Sequence, residues 1–211
     1  MNLTNIDELT DKVVTMLKDR INPSFLVEAS GRHIHLSEKD LRFLMGDHVN
    51  LAAVKFLSQP GQFASQVRLT VLGPKGALHN VVVLGPTRSE TQVELSLTDA
   101  RQIGVNAPVR LSGDIDGTPG ITILNGNRAL TIDRGVIVAK RHIHVKSSDA
   151  DLFGVKNNEV VKVKIDGERP LIFDDVVIRV DDNFSTAMHI DFDEANACGF
   201  RNGIRGTIVK E

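Results

Sequence analysis

The sequence predicts a mainly β fold, made of barrels or sandwiches with short helical caps and an internal duplication. Three features carry that prediction. Short apolar runs alternate with Gly/Pro turns along most of the 211 residues. Arg32-His33-Ile34-His35 recurs almost unchanged as Arg141-His142-Ile143-His144. An acid that opens a short helical segment closed by glycine occurs four times: Asp40 to Gly46, Asp99 to Gly104, Asp149 to Gly154 and Glu194 to Gly199. Acids in a first helical turn complement the helix dipole, and glycine takes the left-handed cap.

In chain order, residues 1–20 read as a separate amphipathic helix. Leu3, Ile6, Leu9, Val13, Met16 and Leu17 recur at helical spacing opposite Asp7, Glu8, Asp11, Lys12 and Asp19. Asn22-Pro23 ends it. Such a helix either packs on the body or serves as a docking peptide for a partner groove. Phe25–Ser30 leads into the first histidine pair. Val67–Leu72 and Leu78–Leu84 flank Gly73-Pro74-Lys75-Gly76, a hairpin signal. Pro108–Ile115 and Ile121–Leu124 flank Gly117-Thr118-Pro119-Gly120. Ala129–Ile132 and Gly135–Ala139 then run into the second histidine pair. Val160–Ile165, Leu171–Phe173, Val176–Val180, Ala187–Asp191 and Gly203–Val209 complete the strands. Ser37 and Ser148 are the candidate N-caps.

Composition narrows the function classes. Charges are nearly balanced, 25 basic against 27 acidic, which argues against a nucleic-acid binder driven by a bulk positive field. No apolar run reaches membrane-spanning length, and no secretory signal opens the chain. The single cysteine, Cys198, excludes an internal disulfide framework and fits a reducing cytosol. Trp and Tyr are absent, so the core must be aliphatic and base-stacking platforms are scarce.

The histidine pairs carry the chemistry. Imidazoles flanking one residue of a strand project to the same face, half of a first-row metal site. The repeat extends further, because His35, Glu94, His144 and His189 each stand five residues before one of the four helix-opening acids. Grouping by repeat gives His33, His35 and Glu94 for one ion and His142, His144 and His189 for another. Three protein ligands with an open position is the composition of a catalytic zinc site. Arg32 and Arg141 point to the opposite strand face, toward acids or an anion. His48 and His79 lack the repeat context and are assigned to the surface; Cys198 is assigned as a buried inert thiol. Arg88, presented by Gly85-Pro86-Thr87, precedes Glu94 and suits an oxyanion beside the metals.

At these residues the chain resembles the phosphate propanoyltransferases of bacterial microcompartments, the PduL-type phosphotransacylase family. The resemblance covers residues 25–211. It includes Arg-His-Ile-His-Leu (32–36), Gln59-Pro60-Gly61-Gln62, Gly73-Pro74-Lys75-Gly76, Gly85-Pro86-Thr87-Arg88, Thr91-Gln92-Val93-Glu94 and Thr98-Asp99-Ala100-Arg101. Gly117-Thr118-Pro119-Gly120, Arg141-His142-Ile143-His144, Met188-His189-Ile190-Asp191 and Asp193-Glu194-Ala195-Asn196 follow in order.

It implies acyl-CoA plus phosphate giving acyl phosphate plus CoA at two zinc ions, with cobalt or another divalent ion an alternative. It further implies two β-barrels, residues 22–31 with 137–211 and residues 32–136, capped by short helices. The implied metal ligands are the two groups above, Arg88 binds phosphate, and CoA contacts Ala29, Ser30, Gly31, Lys75 and Asn196. The family carries asparagine where this chain has Gly31. A homodimer is implied, as is residence in a microcompartment lumen or the cytoplasm, with residues 1–20 as an encapsulation peptide contacting shell or lumen proteins. Two other classes fit the residues less well: a binuclear zinc thioester or phosphoester hydrolase, and a non-catalytic scaffold.

Overall fold

A computed structural model describes residues 22–209. The helix expected at residues 1–20 lies outside the described residues. In chain order the first elements are β1 (Ser24–Ala29), β2 (His33–Ser37), α1 (Glu38–Met45), β3 (Ala53–Phe56), β4 (Phe63–Gly73), β5 (Gly76–Arg88), β6 (Gln92–Leu95) and α2 (Leu97–Ile103). Next come β7 (Val109–Arg110), β8 (Ile121–Asn125), β9 (Arg128–Ile132), β10 (Val136–Ala139) and β11 (His142–Lys146). A 3-10 turn, Ser147–Asp149, leads into α3 (Ala150–Phe153). β12 (Val160–Ile165), β13 (Leu171–Asp181), β14 (Ala187–Ile190), α4 (Phe192–Cys198) and β15 (Arg205–Ile208) end the chain. The mainly β class with short helices is therefore the observed one.

The chain divides into two compact units. The first, from 22–28, 142–189 and 198–209, holds a closed barrel in the order β1-β14-β11-β13-β12-β15. Its wall follows the two-residue period of a strand, with Phe25 and Val27 buried on either side of exposed Leu26. Val163, Ile165, Val176, Ile178, Ile143 and Met188 fill the interior.

The second unit, 29–141 and 190–197, is built on an open sheet ordered β7-β10-β6-β2-β5-β4-β8-β9, with β3 paired on β4. Of the two implied barrels, only the first closes. The predicted hairpin forms between β4 and β5, ending with Gly73 opposite Gly76. Ile34 and Leu36 of β2 are fully buried with Val83, Val93 and Val136. Each such side chain contributes about 1.5–3 kcal/mol by leaving water. The alternate residues of β2, His33 and His35, are thereby committed to the other face.

Helix ends follow the repeat. Ser37 Oγ accepts the Asp40 N–H of α1 at 3.1 Å, and Ser96 Oγ accepts the Asp99 N–H of α2 at 3.1 Å. Gly46, Gly104, Gly154 and Gly199 all have positive φ, as a helix stop needs. Ser148 is not a cap. The 3-10 turn draws it inside, where its hydroxyl hydrogen-bonds the Asp149 carboxylate at 3.1 Å. The strand expected at Pro108–Ile115 is reduced to Val109–Arg110, because residues 111–114 turn, with Asp114 N–H donating to Leu111 O and Gly113 at φ 98.

Candidate metal centres and an arginine-lined cleft

In the open-sheet unit, β2 pairs antiparallel with β6 so that His33 stands opposite Glu94. His33 Nε2 is 3.1 Å from His35 Nε2 and 3.4 Å from a Glu94 oxygen; His35 Nε2 is 3.7 Å from the other oxygen. Tetrahedral coordination at bond lengths of roughly 2.0–2.1 Å sets neighbouring donors about 3.3–3.4 Å apart. The three donors have the spacing of one face of such a site. His33 Nδ1–H donates to Gly31 O at 2.8 Å, which leaves the Nε2 lone pair facing the other ligands. Two imidazole nitrogens in contact share at most one proton, and buried His35 Nδ1 has no hydrogen-bond partner. A cation among the Nε2 and carboxylate donors would relieve the crowding of the two ring nitrogens.

Electrostatics agree. Burial, then the charge of His33 and of Arg88, pushes His35 down to about 2, so it is a neutral ligand at physiological pH. Burial alone would raise the Glu94 carboxyl, but His33, His35 and the Ser112 hydrogen bond outweigh it and hold Glu94 well below the usual range. Burial likewise opposes charge on His33, yet Glu94 and the Gly31 carbonyl leave it raised. Glu94 Oε1 also accepts from Gln92 Nε2 at 2.6 Å and Ser112 Oγ at 2.8 Å. Gly113 N–H holds the Gln92 oxygen at 2.8 Å, and Arg88 donates to Ser112 Oγ at 2.9 Å. A cleft of about 280 Å³ opens here, lined by His35, Pro60, Gly61, Gln62, Gly85, Pro86 and Arg88. A side chain at Gly85 would require the Phe63 ring to move, since a Cβ would stand 2.3 Å from it.

In the barrel unit, β11 pairs antiparallel with β14 and sets His142 opposite His189. The ring centroids of His142, His144 and His189 lie 4.6, 5.0 and 5.3 Å apart, with one donor nitrogen from each within 4.8 Å of the others. Burial first, then His142, His189 and Arg179, pushes His144 down to about 2, and its buried Nδ1 has no hydrogen-bond partner. Glu28 Oε2 stands 3.4 Å from His189 Nε2. Phe184 packs against His144, centroid to centroid 4.2 Å.

The frames around the two clusters repeat bond for bond. Thr91 Oγ donates to Asp40 at 2.5 Å and accepts the Ser37 N–H at 2.9 Å. Thr186 Oγ donates to Asp149 at 2.6 Å and accepts the Lys146 N–H at 3.1 Å. Each threonine precedes the third ligand by three residues. Arg32 pairs with Asp99 at 2.6 Å, and Arg141 with Glu194 at 2.8 Å, which accounts for the outward face of both arginines. In both units the histidine strand has a parallel neighbour, β5 beside β2 and β13 beside β11.

All six ligand candidates thus gather into two groups, and Arg88 shares a cleft with His35. Ala29 ends β1, and Ser30 N–H donates to Ile190 O at 2.8 Å. Gly31 lies under the Phe192 ring, where a Cβ would stand 2.8 Å from it, so a larger residue there requires that ring to move. Lys75 is exposed on the β4–β5 turn and Asn196 is exposed on α4. His48 and His79 are exposed, and Cys198 is fully buried. Gln92, Ser112, Thr91, Thr186, Glu28, Arg179 and Phe184 are neighbours that sequence reasoning did not single out for these sites. Gln92 was accessible by period-two alternation from Glu94, and the threonines by their shared offset; Ser112 had no signal.

Comparison with known proteins gives the family. A family model described as phosphate propanoyltransferase matches residues 26–201. The phosphate propanoyltransferase of Enterococcus faecalis is 53% identical over 208 residues, 99% of each chain. That of Sebaldella termitidis is 55% identical over 201 residues, 95% of each. The Thermotoga maritima relative of the same name is 49% identical, covering 92% of this chain and 96% of its own.

Proposed function

The chain belongs to the phosphate propanoyltransferase family of acyltransferases, and on that premise we propose that it moves propanoyl, or a similar short acyl group, reversibly between CoA and phosphate with two bound metal ions. The observation that carries the reading is a pair of preorganised three-donor clusters, one of them sharing a cleft with Arg88. His33, His35 and Glu94 would hold one ion and His142, His144 and His189 the other. Zinc suits these donors, and cobalt is an alternative. Bound there, the ions supply Lewis-acid polarisation of the thioester carbonyl and a counter-charge for the thiolate.

The residues do the rest. Arg88 orients phosphate in the cleft through its fork of N–H donors. A phosphate oxygen attacks the carbonyl carbon, the C–O bond forms, the C–S bond breaks, and CoA departs as its thiolate. Phosphate is already anionic at neutral pH, so no general base is assigned. Gln92 and Ser112 keep Glu94 aimed while charge moves. CoA would lie against Ala29, Ser30, Gly31, Lys75 and Asn196. The enzyme would act as a homodimer, in a microcompartment lumen or the cytoplasm, with residues 1–20 as the address. Among the described residues no helix is long and apolar enough to cross a membrane.

Thiol release from propanoyl-CoA, followed with and without phosphate and with metal content measured on the same sample, tests the reading. Release should require phosphate; equal release without it would mean hydrolysis. Arg88→Ala should raise the phosphate KM or lower kcat by about 10- to 100-fold with metal retained.

A further inference from the structure

Several arginines of the described chain meet a carboxylate, among them Arg32, Arg42, Arg110, Arg134, Arg141 and Arg201. Arg179 does not. This half-buried side chain lies with its guanidinium carbon 5.9 Å from the centroid of the Phe184 ring, and Phe184 in turn packs on His144. Among the described residues it makes no ion pair or hydrogen bond. Its five N–H donors are therefore fixed in place by stacking and left to an outside acceptor.

Position adds a second argument. Arg179 stands on β13, in register with His144 on the parallel strand β11. Arg88 likewise comes from β5, the parallel neighbour of the other histidine strand. The same topology thus brings a guanidinium to each cluster. The surroundings differ: Glu94 is among the ligands in one unit, whereas the other ligand set contains imidazoles alone. The carboxylate recorded at the imidazole cluster, Glu28, approaches His189, not Arg179. A cation held by three neutral rings beside an uncompensated guanidinium calls for an anionic guest.

We infer that Arg179, steadied by Phe184, is a substrate-binding residue that grips a phosphoryl oxyanion at the three-histidine cluster. The inference rests on the phosphotransacylase reading and adds to it a second anion anchor besides Arg88. The oxyanion is either inorganic phosphate or a phosphoryl group of the CoA nucleotide.

Titration calorimetry on the zinc-loaded full chain separates the two, with inorganic phosphate, CoA and pantetheine as probes. Arg179→Gln should weaken either phosphate or CoA by about 10- to 100-fold. Pantetheine binding and zinc content should be unchanged, and Arg179→Lys should restore part of the loss. Loss confined to phosphate identifies the inorganic ion; loss confined to CoA identifies the nucleotide. Wild-type affinity of Arg179→Gln for both anions overturns the inference. So does loss of zinc in both variants, which would make the arginine structural, or failure of the unaltered protein to bind either anion. Phosphate-independent thiol release by the unaltered protein would instead sink the reaction while leaving the binding result standing.

Discussion

The two histidine clusters share a frame and differ in what the frame holds. In each, the Arg-His-x-His strand is latched by a threonine to the acid of the following helix, and an antiparallel strand delivers the third ligand opposite the first histidine. Glu94 in one unit and His189 in the other occupy the same register. A carboxylate lowers the net charge of a bound cation and needs donors to keep it aimed, and Gln92, Ser112 and, through Ser112, Arg88 are those donors. The imidazole set would leave a bound cation's charge intact and is flanked by aromatic packing. The backbone plan is shared, and the third side chain, Glu94 in one unit and His189 in the other, gives the two clusters different polarity.

The sharpest way to break the comparison is to remove one ligand from each copy. His33→Ala and His142→Ala should each lose one metal equivalent and about a thousandfold or more in turnover, since Lewis-acid stabilisation is worth several kcal/mol. Elemental analysis beside kinetics decides it, and a variant retaining two equivalents would dissolve the equivalence of the clusters. A smaller effect should follow from Gln92→Leu. Loss of a hydrogen bond to a ligating carboxylate costs about 10- to 100-fold in metal affinity. That loss should appear at the Glu94 cluster and spare the imidazole one, as chelator competition would read. Thr91→Val and Thr186→Val should cost similar stability in chemical denaturation, about 1–3 kcal/mol each, with Ser restoring most of it. Unequal losses would show that only one latch is structural.

The mildest effect is on pH. His33 is raised in the folded, metal-free chain, so its pairing with Glu94 stabilises that form below the ordinary histidine pKa. This contribution is lost as pH rises through the raised value. Glu94 is depressed, so its contribution holds above the ordinary carboxylate pKa and fades on acidification through the lower value. Because metal must displace the His33 proton, affinity at this cluster should fall as pH drops below that raised pKa. A pH-independent affinity across that range would remove His33 from the ligand set.

Much of this was written in the chain at fixed offsets. Period-two alternation placed His33 and His35 together, the five-residue interval tied Glu94 and His189 to them, and the glycine stops fell where the helices end. What escaped was non-periodic. Ser112 reaches Glu94 because residues 111–114 turn where apolar character suggested a strand, and no local pattern links that turn to a ligand 18 positions away. Arg179 comes beside His144 through parallel pairing of β13 with β11, and Phe184 reaches it from the connection between β13 and β14, both tertiary choices. Closure of one sheet and not the other is likewise a matter of global pairing, invisible to windows of a few residues.

Cys198, the sole sulfhydryl of the chain, has no solvent exposure. A chromogenic disulfide added to follow CoA liberation should therefore find no reactive partner on the native enzyme, because thiolate attack requires access. The colour yield should equal substrate consumed, with one extra equivalent per polypeptide appearing only on denaturation, so the same reagent serves as a gauge of integrity.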